Sequence, residues 1–152
     1  RGTTDMEPIN INSGTRSVVL VPAEQDQPVK VLQIPNGYQS MNDAISAKWG
    51  DVVNIRKAPR SGTATMSASE IARQRHRLHL DLWIDDEGAL ANNPRSNARA
   101  SALSGMLIFG DALVICCDIG TGGTTSMPSD VADELLLLFS QPEQPKNCIR
   151  VL

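Results

Sequence analysis

Leu78-His79-Leu80-Asp81-Leu82-Trp83-Ile84 is the stretch on which the fold turns. Leu78, Leu80, Leu82 and Ile84 alternate with His79, Asp81 and Trp83, the period-two pattern of a strand with one face in a core. Further on, Ala112-Leu113-Val114-Ile115-Cys116-Cys117 is apolar at every position, as a strand at the centre of a sheet would be. These two strands predict a sheet, and the segments around them supply its remaining strands and its helices.

Ser17–Val21 and Val29–Ile34 are short apolar runs separated by polar Glu24-Gln25-Asp26-Gln27, which reads as a hairpin. Met41, Ala44, Ile45, Lys48 and Trp49 fall on one helical stripe, with Ser40 as N-cap and Gly50 as the left-handed residue after it. Asp51–Ile55 returns as a strand. Ser67 with Glu70 three residues on forms a capping box for a short helix. Asn93-Pro94 reads as a helix start, with that helix stopping near Gly105. A last helix from Pro128 to Phe139 carries Val131, Ala132, Leu135, Leu138 and Phe139 on its core side. The expectation is one α+β domain over residues 17–139. Its sheet has five to six strands, mixed or mainly antiparallel, covered by two main helices that start at Ser40 and Pro128. A flexible polar arm (1–16) precedes it and a proline-containing tail (140–152) follows.

The 152 residues hold 17 acidic and 14 basic side chains, a net charge of −3, and only five aromatics. No apolar stretch reaches the roughly 18 residues a membrane helix needs, and the N-terminal arm lacks the basic start and apolar centre of a signal peptide. The small negative total suits neither a polyanion mimic nor a generic nucleic-acid binder. It conceals segregation, however. In the insertion 56–77, Arg56, Lys57, Arg60, Arg73, Arg75 and Arg77 face the single acid Glu70, giving +5 there and −8 over the rest. Clustered guanidiniums recognise phosphate or carboxylate bidentately, although the segment could equally neutralise acids of its own domain. The aromatics are too few for stacking or sugar platforms, and Trp49 and Phe139 are expected in helix stripes.

The remaining motifs read as structure. Gly120–Thr125 lies between strand and helix, but it lacks the Gly-Lys-Ser/Thr ending of a P-loop and reads as a connector. Asp81, Asp85, Asp86 and Glu87 could supply metal oxygens or an acid–base pair, yet they lack the register of a calcium loop, and a solvated turn with Gly88 at positive φ is expected. Cys116 and Cys117 point to opposite faces of their strand as buried thiols, suited to a reducing compartment, and Cys148 lies in the tail. No CxxC pair builds a zinc site. His76 and His79 straddle a helix–strand junction and share no face. Neither a metal-ligand set nor a cofactor is expected.

Several local patterns also resemble an uncharacterised small domain family that recurs in phage, plasmid and gut-metagenome sequences. Val21-Pro22 and Asn36-Gly37-Tyr38 close its first two strands, and Trp49, Val52 and Val53 follow. Trp83-Ile84-Asp85-Asp86-Glu87-Gly88-Ala89-Leu90 is similar to its Asn/Asp-Glu-Gly turn, and Asn92–Ala100 to its Pro-x-Asn-x-x-Ala segment. Phe109–Ile115 is similar to its Gly-x-x-Leu-Val strand. The likeness covers about residues 17–139 and departs at the basic insertion, the arm and the tail. It implies a cytoplasmic accessory protein of viral or mobile-element origin. Its functional face would be the Glu87-Gly88 turn and the helix start with Asn93, Arg95 and Arg99, since such residues lie where binding occurs. The leading expectation is therefore a non-catalytic module that binds a host or viral protein, with a homodimer as one form. Nucleic-acid or phosphate binding through the basic segment is the first alternative. A metal-dependent hydrolase built on the Asp81–Glu87 acids is the second.

Overall fold

Within residues 14–140, which the computed structural model describes, the chain runs in the following order. β1 (Thr15–Val21) and β2 (Lys30–Pro35) lead to α1 (Tyr38–Ala44) and β3 (Gly50–Ile55). Next come α2 (Ala68–His76), β4 (Leu78–Asp85), α3 (Ala98–Ser104) and β5 (Ala112–Asp118). β6 (Thr124–Thr125) and α4 (Ser129–Ser140) end it. All strand pairs are antiparallel, in the order β2-β1-β5-β4-β3. β5 is the central strand, and β6 takes up its β1 side at Cys116 and Cys117, past the Ala112–Val114 segment that β1 occupies. The α+β architecture expected from the sequence is present.

Because side chains alternate along each strand, the sheet has two different faces. On the first, Val19, Val21, Ile55, Leu78, Leu80, Leu82, Val114 and Cys116 pack beneath α2, α3 and α4, whose Ile71, Ala72, Ala100, Leu103, Val131 and Leu135 close a single core. Fully burying a side chain the size of leucine stabilises the fold by roughly 1.5–3 kcal/mol, so most of the stability resides here. On the second face, Val18, Ile34, Trp83, Leu113, Ile115 and Cys117 meet Met41 and Ile45 of α1 and its exit. Among the described residues α1 is the only helix packed on that face, and it has just seven residues.

The capping box at Ser67 and Glu70 forms as expected, with Glu70 N–H donating to Ser67 Oγ at 3.1 Å and Ser67 N–H to the Glu70 carboxylate at 2.8 Å. The basic insertion is anchored. Buried Glu134 of α4 accepts from the Ser61 backbone N–H at 2.6 Å and from its hydroxyl at 2.8 Å, and Ala58 N–H donates to Ser69 Oγ.

Five local expectations are corrected. The first helix is capped at Gly37 rather than Ser40, starts at Tyr38 and ends at Ala44. Ser46 takes a left-handed φ of 56°, so Lys48 and Trp49 leave the helical stripe and Trp49 is 58% exposed. Gly50 is the first residue of β3 rather than a helix cap. A Cβ there would collide with the Trp83 ring and the Asn42 amide, so the glycine permits close approach. Gly88 has no positive φ either. It opens a 3-10 turn, and its Cβ would lie 2.7 Å from the Phe109 carbonyl oxygen. The third helix is capped by Asn97 and not Asn93, because Asn97 is fully buried and its amide serves Ala100 N–H, Val21 O and Gly110 O together. The arm expected to reach Arg16 gives way to β1 at Thr15, while residues 1–13 and 141–152, with Cys148, lie outside the described residues.

Candidate functional site

The less covered face changes character along its length. At the α1 end it is aromatic. Trp83 lies under Tyr38 with ring centroids 5.5 Å apart and planes 6° from parallel, and its indole N–H donates to Asn42 Oδ1 at 2.9 Å. Tyr38 and Trp49 are largely exposed, and Val52, cross-strand from Trp83, is exposed beside them.

At the other end it is polar. The period-two pattern of β4 sends His79 and Asp81 to this face, and the β4–β5 register sets His79 opposite Cys117. Asp81 is buried and has three partners. Its Oδ1 accepts from Asn54 Nδ2 at 3.1 Å, while its Oδ2 lies 3.2 Å from His79 Nε2 and 3.3 Å from Cys117 Sγ. A carboxylate out of water needs such donors, since an unpaired buried charge is strongly destabilising. Burial, then the hydrogen bond to Asp81 and that residue's charge, push the Cys117 thiol up to about 12 against the pull of the Arg16 guanidinium. Burial, with Cys117 and Asp81 behind it, raises Cys116 to about 12 as well. Both thiols are free and stay protonated at neutral pH. Cys117 donates to a carboxylate and is not the activated thiolate that covalent catalysis uses. Buried Arg16 closes this end, donating to Asn36 Oδ1 at 3.0 Å and to Thr124 Oγ1.

Beside the network opens a cleft of about 490 Å³ lined by Asn54, Ile55, Arg56, Arg73, His79 and Ile119. His79 is about one-third exposed there. Arg56 follows β3 and Arg73 lies on α2, so the fold brings two ends of the basic insertion to one opening. Arg56 and Lys57 also line a second cleft of about 460 Å³ against the end of α3. Among the described residues neither Arg56 nor Arg73 forms an ion pair.

The other site residues expected from the sequence lie apart from this cleft. Arg75 pairs with Asp130 at 3.3 Å, and His76 Nε2 lies 2.9 Å from the same carboxylate. Arg60 reaches only the Thr65 carbonyl in its own loop, and Arg77 is the left-handed residue closing α2. Arg99 donates to the carbonyls of Pro22, Glu24 and Gln27, tying the β1–β2 turn to α3. Arg95 bridges Glu24 and Asp111, each at 3.7 Å. Asn93 is exposed, and Glu87 is exposed just past the end of β4 where Asp85 pairs with Gly50, whereas Arg56 follows the opposite end, where Ile55 pairs with Leu80. The acidic turn and the cleft therefore do not meet. The four-acid cluster is also divided, since Asp81 is buried four strand positions from Asp85. Gly120–Gly123 is a connector that spends the N–H groups of Gly120 and Thr121 on Asp118 Oδ1, whereas Thr124 and Thr125, expected in the same loop, form β6.

The grouping of His79, Asp81 and Cys117 escapes sequence reading because it depends on the register of two strands far apart in the chain. The alternation in Leu78–Ile84 already put His79 and Asp81 on one face, and that was its only local signal. No protein-family model matches the chain, and no curated protein or solved structure matches it. No helix among the described residues is long and apolar enough to cross a membrane.

Proposed function

We propose that this protein is a non-catalytic binding module that takes a phosphate-bearing ligand in the cleft of Arg56, Arg73 and His79. The observation that carries the reading is the convergence of two unpaired guanidiniums from separate elements on one opening. Arginine forks match phosphate oxygens bidentately, and His79, steadied by Asp81, adds a ring nitrogen at the rim. The direct test is binding of pyrophosphate and of a short single-stranded oligonucleotide, measured by calorimetry over a range of salt. Binding should weaken as salt rises and be lost in Arg56→Glu/Arg73→Glu, while Arg75→Glu, whose wild-type side chain is held by Asp130, changes it little. Unchanged affinity after the double reversal removes the proposal.

A second reading, a protein partner of the kind an accessory module of viral or mobile-element origin would have, is favoured by the exposed aromatic end. Tyr38, Trp49 and Val52 are exposed next to the edge strand β3, and exposed aromatics are enriched where proteins meet. Capture of a partner, or self-association seen by light scattering, that is lost in Trp49→Ala and kept in Arg56→Glu would favour it over the anion cleft.

A further inference from the structure

We infer that His79, Asp81 and Cys117 form a binding site for a zinc-class transition-metal ion. This inference stands on the buried network and does not depend on the anion cleft. Zinc bonds of about 2.0–2.3 Å to nitrogen, oxygen and sulfur in a tetrahedron leave the ligand atoms roughly 3.2–3.6 Å from one another. His79 Nε2 and Asp81 Oδ2 are 3.2 Å apart, and Cys117 Sγ and the same oxygen 3.3 Å. A His79 ring nitrogen, Cys117 Sγ and an Asp81 carboxylate oxygen all lie within 4.8 Å of one another. Two of the three separations are thus at ligand spacing and the third lies within 4.8 Å, set by two adjacent strands whose pairing fixes the side chains' relative position.

The chemistry of the set selects the ion. A thiol and an imidazole beside one carboxylate suit zinc and its neighbours, whereas calcium and magnesium take oxygen ligands. One thiolate and one carboxylate balance a divalent charge. Asn54, donating to Asp81 Oδ1 at 3.1 Å, leaves Oδ2 for the metal and orients the carboxylate, the outer-shell support that ligating carboxylates commonly have. Without metal, the thiol proton and the imidazole Nε2 both point to Oδ2. On binding, Cys117 gives up its S–H proton to solvent as the metal–sulfur bond forms. His79 ligates as neutral imidazole through Nε2, its ring proton carried on Nδ1. Three protein ligands leave a fourth position for water, the arrangement of an open site. His79, at the cleft rim, puts that position within reach of solvent.

The test titrates the reduced full chain with Co²⁺. We expect saturation at one equivalent, with a thiolate-to-cobalt charge-transfer band and the intense visible bands of tetrahedral Co²⁺, and displacement of both by Zn²⁺. Cys117→Ser abolishes the charge-transfer band, whereas Cys116→Ser and Cys148→Ser keep it. His79→Ala, at a partly exposed position, lowers Zn²⁺ affinity more than tenfold by calorimetry with an unchanged circular-dichroism spectrum. Asn54→Ala weakens binding by about 10- to 100-fold. Absence of the charge-transfer band in the wild-type protein, its survival in Cys117→Ser, or undiminished Zn²⁺ affinity in His79→Ala would overturn the site.

Discussion

The two faces of the sheet are built from the same strands and do different work. One lies under three helices and is apolar from Val19 to Leu135. The other has one short helix at one end and gathers Arg16, Asn54, His79, Asp81 and Cys117 at the other. Alternation lets a single strand serve both, since β4 sends Leu78, Leu80 and Leu82 to the first face and His79, Asp81 and Trp83 to the second. The lesson is a division of labour. The covered face supplies enough stability for the other to hold polar groups whose burial contributes little to folding.

The sharpest way to break that comparison is to damage the covered face. Leu80→Ala removes a fully buried side chain from the larger core and should cost about 2–5 kcal/mol in urea unfolding. Affinity for pyrophosphate, measured where the variant is still folded, should stay near wild type. A parallel loss of binding by the folded variant would mean the faces are not separable. Next in size is Glu134→Ala, which leaves the Ser61 N–H without its acceptor and should cost about 1–3 kcal/mol. It should also free the basic insertion, seen as faster amide exchange across residues 58–65.

On the open face, Tyr38→Ala removes a stacked ring and should cost only about 0.5–1.5 kcal/mol, read as a small shift in the urea midpoint. The smallest effect is electrostatic. Burial alone would raise the Asp130 carboxyl, but hydrogen bonds from His76 and Arg75, the His76 charge and the Val131 N–H hold it below its ordinary value. With the folded value below the unfolded one, the contribution is complete above the unfolded carboxylate pKa and is lost as pH falls through the folded one. Asp130→Asn should therefore lower the urea midpoint slightly at neutral pH and leave it unchanged in strong acid.

The covered face was legible because its signals are local. The leucine alternation of β4, the apolar run of β5, the Ser67 capping box and the α4 stripe all found their elements. Errors gather where a distant contact overrides a local pattern. Trp49 fits a helical stripe, yet the chain turns at Ser46 and Gly50 passes tightly under Trp83. Asn93-Pro94 has the better cap sequence, but Asn97 wins through two carbonyls that only tertiary structure brings to it. The basic insertion was visible as charge, though nothing local singled out Arg56 and Arg73 from its other arginines. His79, Asp81 and Cys117 depend on strand register, which a linear chain does not display.

The position of β5 also sets a timetable. β1 and β2 form a hairpin, and β3 and β4 pair across the insertion, so each half of the sheet can assemble early. Val19 nevertheless waits for Val114, and Leu82 for the same residue. Such distant pairings are slow to form. Until Ala112–Asp118 has been synthesised, two apolar strand edges stand unmated on either side of the gap, and a growing chain is most exposed to aggregation in that interval. The strand that locks the two halves together thus arrives after all four strands it joins.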